Sequence, residues 1–156
     1  MKIWLKNFRD LDAKEVVLVL EWRNHKNVAP FMRHKVVTLQ EHLCFLESLK
    51  KDSTKEYFLV FKDAIPIGVI DFVEISLQSC AFGLYQNPSL SGFGSILMQE
   101  VLEYAFKILK VKELKACVFK NNTKALELYL KFGFTITKEN ATMYNVSLCA
   151  GGGLKF

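Results

Sequence analysis

The spacing of apolar and polar positions divides the chain into helix-like and strand-like segments. Apolar side chains recur at helical spacing over residues 13–23, 39–50, 92–109 and 122–131, which predicts four helices. Short apolar runs predict seven strands, over residues 3–8, 57–61, 65–73, 80–85, 114–119, 134–138 and 143–148. Three of these strands follow one another in the middle of the chain, which is not the order of a doubly wound parallel sheet. The order β-αα-βββ-α-β-α-ββ therefore predicts an α/β (α+β) fold with a mixed sheet and helices on both faces.

The ends of the predicted helices carry recognisable capping residues. Asp12 is placed to cap the first helix, and Thr38 with Glu41 forms the capping-box pattern at the start of the second. Gly133 follows the fourth helix, where a left-handed glycine commonly ends a helix. The helical periodicity also predicts the side chains that face the core, which are Val16, Val17 and Leu20 in the first helix, Leu39, Leu43, Leu46 and Leu49 in the second, and Leu97, Val101, Ala105 and Ile108 in the third.

The length and composition predict one globular domain. The chain has 156 residues, of which 51% are hydrophobic, and this excludes a disordered chain. We place the domain at residues 1–149 and expect the glycine-rich residues 150–156 to form a flexible tail. The formal net charge is +5, and three of the 21 basic residues are arginine. Because nucleic-acid readers usually carry clustered arginine, the charge favours a small phosphorylated ligand over nucleic acid.

The cysteines and histidines show no metal-binding spacing. Cys44, Cys80, Cys117 and Cys149 are far apart, each within an apolar run, as expected of small core residues with reduced thiols. The three histidines are also scattered, so we expect no metal site. The first residues lack the apolar stretch of a secretory signal, and no apolar run is long enough to span a bilayer. We therefore expect a cytoplasmic protein with no membrane partner.

A loop that contains two glycines, Ser89 to Gly94, connects the strand at 80–85 to the third helix. Glycine lets the backbone approach a ligand closely, and the N–H groups at a helix N-terminus bind phosphate oxygens. The loop is therefore a candidate pyrophosphate site, although an ordinary strand-to-helix corner has the same pattern. A P-loop is excluded because no lysine follows Gly94. A dinucleotide fingerprint is excluded because Leu97 stands where its third glycine would be.

A second motif, N-x-x-A-x-x-L-Y-x-K-x-G-F, covers residues 122–134. Helical spacing turns Ala125, Leu128 and Phe132 inward. Tyr129 lies close to the same face because it follows Ala125 by four residues. Taken alone, this tyrosine is best explained as a half-buried packing residue.

Together, in this order, the two motifs resemble those of the GNAT superfamily of acetyl-CoA-dependent N-acetyltransferases. The resemblance covers residues 1–149. It implies a central mixed, mostly antiparallel seven-stranded sheet that splays between the strands at 80–85 and 114–119, with acetyl-CoA in the gap. Ser89 departs from the family pattern Q/R-x-x-G-x-G/A, in which Gln or Arg is usual. In the family, however, most contacts with the pyrophosphate come from backbone N–H groups.

The resemblance also implies roles for individual residues. Tyr129 matches the tyrosine that protonates the leaving CoA thiolate, and a backbone N–H of the strand at 80–85 holds the developing oxyanion. The base that deprotonates the substrate amine is left open among His42, Asp71 and Glu74. The residues that the match implies for cofactor binding are Phe82, Gly83, Leu84, Tyr85, Leu90, Ser91, Gly92, Phe93, Gly94, Ser95, Asn122, Ala125 and Tyr129.

Three further segments resemble one subgroup of the superfamily, and they are EWRNH at 21–25, EHLCFL at 41–46 and GLYQNP at 83–88. Members of that subgroup acetylate the 4-amino group of UDP-4-amino-4,6-dideoxy-N-acetyl-β-L-altrosamine, and the product leads to pseudaminic acid, which glycosylates bacterial flagellin. The resemblance implies that Arg23 and His42 contact the UDP-sugar and that Tyr85 lies beside the sugar. Read from the residues alone, Arg23 is also a cation that complements the C-terminus of its helix.

The sequence is also compatible with other functions. One keeps the chemistry and changes the acceptor to a protein N-terminus, as in ribosomal-protein acetyltransferases, or to another small amine. Another is a non-catalytic module that binds acyl-CoA or nucleic acid. Among the lysines, Lys120 and Lys124 are the expected neighbours of the cofactor, and a homodimer is a possible assembly.

Overall fold

The computed structural model describes residues 1–32 and 36–151. Its strands are β1 (Ile3–Asn7), β2 (Glu56–Lys62), β3 (Ile65–Val73), β4 (Ser79–Gln86), β5 (Glu113–Phe119), β6 (Thr135–Glu139) and β7 (Met143–Cys149). Its α-helices are α1 (Ala13–Asn24), α2 (Leu39–Leu49), α3 (Gly94–Glu103) and α4 (Thr123–Lys131). The predicted order of elements is confirmed. Residues 152–156 of the predicted tail lie outside the described residues, so the tail stays a prediction.

All seven strands form one sheet in the order β1-β2-β3-β4-β5-β7-β6. Neighbouring strands are antiparallel except β4 and β5, which are parallel. A parallel pair needs a crossover, and α3 with the turn that follows it supplies one. The sheet is therefore mixed and mostly antiparallel, as predicted.

Helices pack on both faces of the sheet, because alternate side chains of each strand point to opposite faces. Phe58 and Val60 of β2 belong to a core cluster with residues of α3 and α4. Leu59 and Phe61 of the same strand belong to a second cluster with residues of α1 and α2. We call the two sides of the sheet the α3/α4 face and the α1/α2 face.

The predicted caps of the first two helices are confirmed, but their buried faces differ from the prediction. Asp12 with Glu15, and Thr38 with Glu41, form complete capping boxes. Val17, Leu39 and Leu43 are exposed instead of buried. The buried positions of α1 and α2 are Val19, Trp22, His42 and Leu49. Trp22, with its large apolar ring, and His42, whose ring has a hydrogen-bond partner, are buried in the core. Counting aliphatic residues had assigned these core positions to other side chains.

The third helix was expected to continue to residue 109 with Ile108 on its buried face, and this was wrong. A π-helical turn, Tyr104–Ile108, follows α3. A π turn inserts an extra residue into the helical repeat, so later side chains rotate away from their expected direction. Leu97, Val101 and Ala105 are fully buried, whereas Ile108 is 62% exposed.

The end of α4 follows the predicted pattern. Asn122 caps the helix through a hydrogen bond that its Oδ1 accepts from the N–H of Ala125 at 3.3 Å. Gly133 follows the C-cap with φ +95°, the left-handed conformation that glycine adopts without strain.

The expectation that all four cysteines are core residues was wrong. Cys80 is buried, whereas Cys44, Cys117 and Cys149 are exposed. The last two lie on β5 and β7, where the side chains that alternate with the core positions point to solvent.

Candidate active site

The sheet opens between β4 and β5. The two strands pair at three positions, from Ser79 with Glu113 to Ala81 with Lys115. Beyond Ala81, β4 stays paired with β3 as far as Gln86 but is no longer paired with β5. The splay predicted at this place is therefore confirmed, and the β5 side of residues 82–86 borders a gap. Backbone groups along this edge are available to an extended ligand.

Tyr129 reaches this region from the α3/α4 face. It is 4% exposed, and its ring packs edge-on against Phe82 with the centroids 5.3 Å apart. Phe134 closes the same aromatic cluster, with its centroid 5.8 Å from that of Tyr129. Burial raises the pKa of Tyr129, and the nearby carboxylate of Asp71 raises it further. The phenol therefore keeps its proton at neutral pH and is a proton donor in an apolar setting.

Asp71 lies on the opposite, α1/α2 face, directly across from Gly83. The two residues are paired in the β3–β4 register. A Cβ on residue 83 would lie 2.8 Å from Oδ2 of Asp71, so the missing side chain of Gly83 makes room for the carboxyl. Burial raises the pKa of Asp71 to about 7, and a hydrogen bond from the backbone of Gly83 opposes this shift. As a residue, Asp71 is partly exposed.

Three phenols surround Asp71. The charge of its carboxylate raises the pKa values of Tyr57, Tyr85 and Tyr129, in each case after the larger effect of burial. Tyr85 and Tyr129 were predicted site residues. Tyr57 was missed, because a strand tyrosine between apolar neighbours has the pattern of a packing residue, and its ring does pack on Phe45 with the centroids 4.8 Å apart.

Arg23 belongs to the same cluster. It lies in the last turn of α1 and is half-buried. Burial lowers the pKa of its guanidinium, and the phenols of Tyr85 and Tyr57 raise it. The structure therefore brings Arg23 and Tyr85, two of the three predicted substrate contacts, together on the α1/α2 face.

His42, the third predicted substrate contact, packs between the two helices of that face. It is 6% exposed, and its Nε2 lies 3.0 Å from the carbonyl oxygen of Val16. With the proton on Nε2, the ring donates to this carbonyl and links α2 to α1. Burial lowers the pKa of His42, with the Val16 hydrogen bond opposing the shift. Its contact with a substrate stays a prediction.

The glycine loop has the geometry of an anion site. Gly92 adopts φ +82°, and α3 begins two residues later with no side chain capping its N-terminus. The first N–H groups of a helix have no partner inside the helix and bind anions favourably. Gly94 lies close to α4, since a Cβ there would be 3.4 Å from Cδ2 of Leu128. Predicted residues Leu90 and Ser91 lie in the loop itself, and Ser95 lies in the first turn of α3.

Side-chain hydrogen bonds hold the loop in place. Asn87 donates from Nδ2 to the carbonyl oxygen of Pro66 at 3.0 Å and accepts from the N–H of Ser89 at 2.9 Å. The N–H of Phe93 donates to Oε1 of Gln86 at 3.2 Å. The loop is thus organised before any ligand binds, which lowers the entropic cost of binding.

Two lysines lie beside the loop. Lys131 lies with its Nζ 3.5 Å from Oγ of Ser95, and Lys62 has its Nζ 5.6 Å from the ring centroid of Phe93. Lys120 forms an ion pair with Glu139 of β6. That Lys120 and Lys124 lie beside the cofactor stays a prediction. Lys131, at the end of α4, lies at the start of α3 because the two helices contact each other there. Lys131 is the lysine of the second motif, and that position could have indicated it from the sequence.

Neither a metal cluster nor a membrane span is found in the described ranges. Among residues 1–32 and 36–151, no three or more His, Cys, Asp and Glu side chains are grouped to hold a metal ion. The helices within those ranges are also too short or too polar to cross a bilayer.

The sequence matches known acetyltransferases. Residues 2–135 match the family described as "Acetyltransferase (GNAT) domain". Acetyltransferase PseH of Campylobacter jejuni is 52% identical over 146 residues, which cover 94% of this chain and 93% of that protein. Spermidine N(1)-acetyltransferase of Escherichia coli is 28% identical over 92 residues, which cover 56% of this chain and 50% of that protein.

Solved structures agree with this match. The crystal structure of C. jejuni N-acetyltransferase PseH in complex with acetyl coenzyme A has a TM-score of 0.84 at 49% identity and covers 95% of this chain and 99% of its own. A spermidine N-acetyltransferase of Vibrio cholerae, in complex with CoA and spermine, has a TM-score of 0.85 at 19% identity, with 96% of each chain covered, and shares the fold. With the splayed sheet, the loop before α3 and the buried Tyr129 in place, this chain belongs to the GNAT acetyltransferase family.

Proposed function

We propose that this protein is an acetyl-CoA-dependent N-acetyltransferase that acetylates the 4-amino group of UDP-4-amino-4,6-dideoxy-N-acetyl-β-L-altrosamine, a step of pseudaminic acid biosynthesis. The observation that carries the proposal is the position of Tyr129 at the gap between β4 and β5, opposite an acceptor-side cluster that contains Arg23 and Tyr85. The 52% identity to the acetyltransferase PseH over 94% of the chain supports the acetyl-transfer part of this proposal, and the resemblance of residues 21–25, 41–46 and 83–88 supports the acceptor.

The residues around the gap fit acetyl-CoA. The loop from Leu90 to Gly94 and the uncapped start of α3 would hold its pyrophosphate, with Lys131 adding positive charge. The edge of β4 from Phe82 to Tyr85 would pair with the extended pantetheine arm. Asn122 and Ala125 contribute by fixing the start of α4, which carries Tyr129. When bound, acetyl-CoA supplies an acetyl group activated as a thioester.

Tyr129 is the proposed general acid. Its phenol keeps its proton because burial and the charge of Asp71 both raise its pKa. A CoA thiolate that leaves in this apolar region needs a proton, and a buried phenol supplies one without water. The ring contacts with Phe82 and Phe134 fix the direction of the hydroxyl.

The acceptor approaches from the other face. Arg23 offers a planar cation for a diphosphate, and the rings of Tyr57 and Tyr85 beside it offer surfaces for the sugar and base. His42 completes the predicted set of contacts. The two substrates therefore meet at the gap from opposite sides of β4, which suits direct transfer in a ternary complex. The cytoplasmic location and a homodimer stay predictions.

Isothermal titration tests this assignment in its two parts. The protein should bind acetyl-CoA and, independently, UDP, whereas Arg23→Ala should lose UDP binding and keep acetyl-CoA binding. Binding of acetyl-CoA without UDP would overturn the acceptor and favour a protein N-terminus or a polyamine. Failure to bind acetyl-CoA, with salt-sensitive binding of an oligonucleotide, would favour the non-catalytic module.

A further inference from the structure

The structure separates the three candidate bases for the amine by their positions. The ring of His42 is buried between α1 and α2, with Nε2 3.0 Å from the carbonyl oxygen of Val16. Glu74 is exposed just after β3, with φ +52° in the β3–β4 connection. Asp71 lies on β3 opposite Gly83 of β4. Gly83 lies two residues after Ala81, the last residue of β4 that pairs with β5. Of the three, Asp71 is the carboxyl at the opening of the sheet.

Asp71 lies near proposed contacts for the acceptor and also acts on the proposed acid. On the α1/α2 face it is near Tyr57 of β2 and Tyr85 of β4, and these phenols lie near Arg23 of α1. Its charge also reaches Tyr129 of α4, on the other side of β4. Because Gly83 has no side chain, no Cβ separates the carboxyl of Asp71 from the backbone of β4 at the edge of the gap.

We infer that the carboxylate of Asp71 is the general base that takes a proton from the ammonium group of the acceptor, on the face of the sheet opposite the acid Tyr129. The inference rests on the proposed function. Burial raises the pKa of this carboxyl to about 7, which suits a group that must accept a proton and release it again near neutral pH. The space that Gly83 leaves by having no side chain accommodates the carboxylate, since a Cβ there would lie 2.8 Å from Oδ2 of Asp71.

The protons balance with this pair of residues. The acceptor enters as R–NH₃⁺, and Asp71 takes one proton, which leaves the nitrogen lone pair free. The nitrogen forms a bond to the acetyl carbon, the carbon–sulfur bond breaks with its electron pair on sulfur, and Tyr129 gives its proton to that sulfur. The second proton that the nitrogen loses restores Tyr129, and the proton on Asp71 passes to solvent. The products are the N-acetyl compound, CoA–SH and one released proton.

The kinetic test compares wild type, Asp71→Asn and the matched control Glu74→Gln. With the 4-amino UDP-sugar as acceptor, Asp71→Asn should lower kcat about 10²–10⁴-fold, and Glu74→Gln should stay within about twofold of wild type. Isothermal titration should show unchanged acetyl-CoA affinity for both variants. In wild type, kcat/KM should rise with pH and level off once Asp71 is ionised. In Asp71→Asn the residual rate should climb beyond that pH, because only acceptor that is already neutral reacts.

A second readout does not depend on the acceptor. In ¹³C-labelled protein, the carboxyl carbon signal of Asp71 is assigned by its absence from the spectrum of Asp71→Asn. In wild type this signal should titrate near pH 7. Wild-type kcat and pH profile in Asp71→Asn, or titration of that carbon at the ordinary value for aspartate, would overturn the inference. If wild type does not acetylate the UDP-sugar, the proposed acceptor is wrong. The variants are then compared using the amine that wild type does acetylate. Equal rates of Asp71→Asn and wild type on that amine would again overturn the base.

Discussion

Replacing Asp71 with asparagine should stabilise the folded protein above neutral pH, even though it removes the proposed base. Asparagine has nearly the same shape as aspartate and fits the same space opposite Gly83. What the change removes is a carboxylate that the folded protein shields from water. A residue retained at a cost to stability is expected where it serves function.

The magnitude follows from the shift in pKa. Burial raises the pKa of Asp71 from 3.8 to about 7. The folded state therefore holds this proton more tightly than the unfolded state, and wild type loses stability as the pH rises from about 4 to about 7. A shift of about 3 units at about 1.4 kcal/mol per unit amounts to about 4 kcal/mol. The loss is nearly complete at pH 8, but it is only about 2 kcal/mol at pH 5, where the folded state is still protonated.

Urea denaturation at pH 5 and pH 8, followed by tryptophan fluorescence, measures the effect. The free energy of unfolding of Asp71→Asn minus that of wild type should be larger at pH 8 than at pH 5 by about 2–3 kcal/mol. The contributions of other titrating groups to the free energy of unfolding cancel in this difference, because both proteins contain those groups. Glu74→Gln, which changes an exposed carboxyl near the end of the same strand, is the control for loss of a carboxyl that the fold does not bury. An Asp71→Asn protein that is less stable than wild type at pH 8, or whose difference from wild type does not change with pH, would refute the reasoning.

Two further predictions concern the acid and the acceptor site. Tyr129→Phe should keep the ring contacts with Phe82 and Phe134, so the protein should fold and bind acetyl-CoA normally while kcat falls about 10²–10³-fold. Steady-state kinetics with a parallel titration of acetyl-CoA checks this, and unchanged kcat would reject the acid role. Arg23→Lys keeps the charge but loses the planar two-pronged geometry, so KM for the UDP-sugar should rise about tenfold while KM for acetyl-CoA stays constant. An equal KM for the UDP-sugar in Arg23→Lys would mean that the guanidinium does not bind the diphosphate.

The order of helices and strands could be predicted because it depends on local signals. The capping boxes at Asp12 and Thr38 and the left-handed Gly133 are short-range patterns, and the structure contains all three. The register of a long helix is a weaker signal. Ile108 was placed in the core because the π turn that ends at this residue leaves no clear mark in the sequence.

The buried faces of α1 and α2 were harder to predict. His42 is buried because its ring has a hydrogen-bond partner on the neighbouring helix, and that partner comes from the tertiary structure. Counting apolar residues therefore assigned Leu39 and Leu43 to a core that contains His42 instead.

The candidate site was predicted in part. Tyr129 and the glycine loop belong to contiguous motifs, so the resemblance located them. The cluster around Asp71 comes from three strands and two helices, and the register between β3 and β4 brings Asp71 opposite Gly83. That register is set by tertiary packing, and the sequence therefore left Asp71 as one of three candidates and missed Tyr57.

The transfer reaction itself tests the central claim most directly. The purified protein is incubated with acetyl-CoA and UDP-4-amino-4,6-dideoxy-N-acetyl-β-L-altrosamine, and the products are analysed by mass spectrometry and NMR. We predict that one acetyl group is added to the nitrogen at C4, with one CoA–SH released for each sugar acetylated. An unmodified UDP-sugar in a reaction where spermidine or a peptide N-terminus is acetylated would contradict the account.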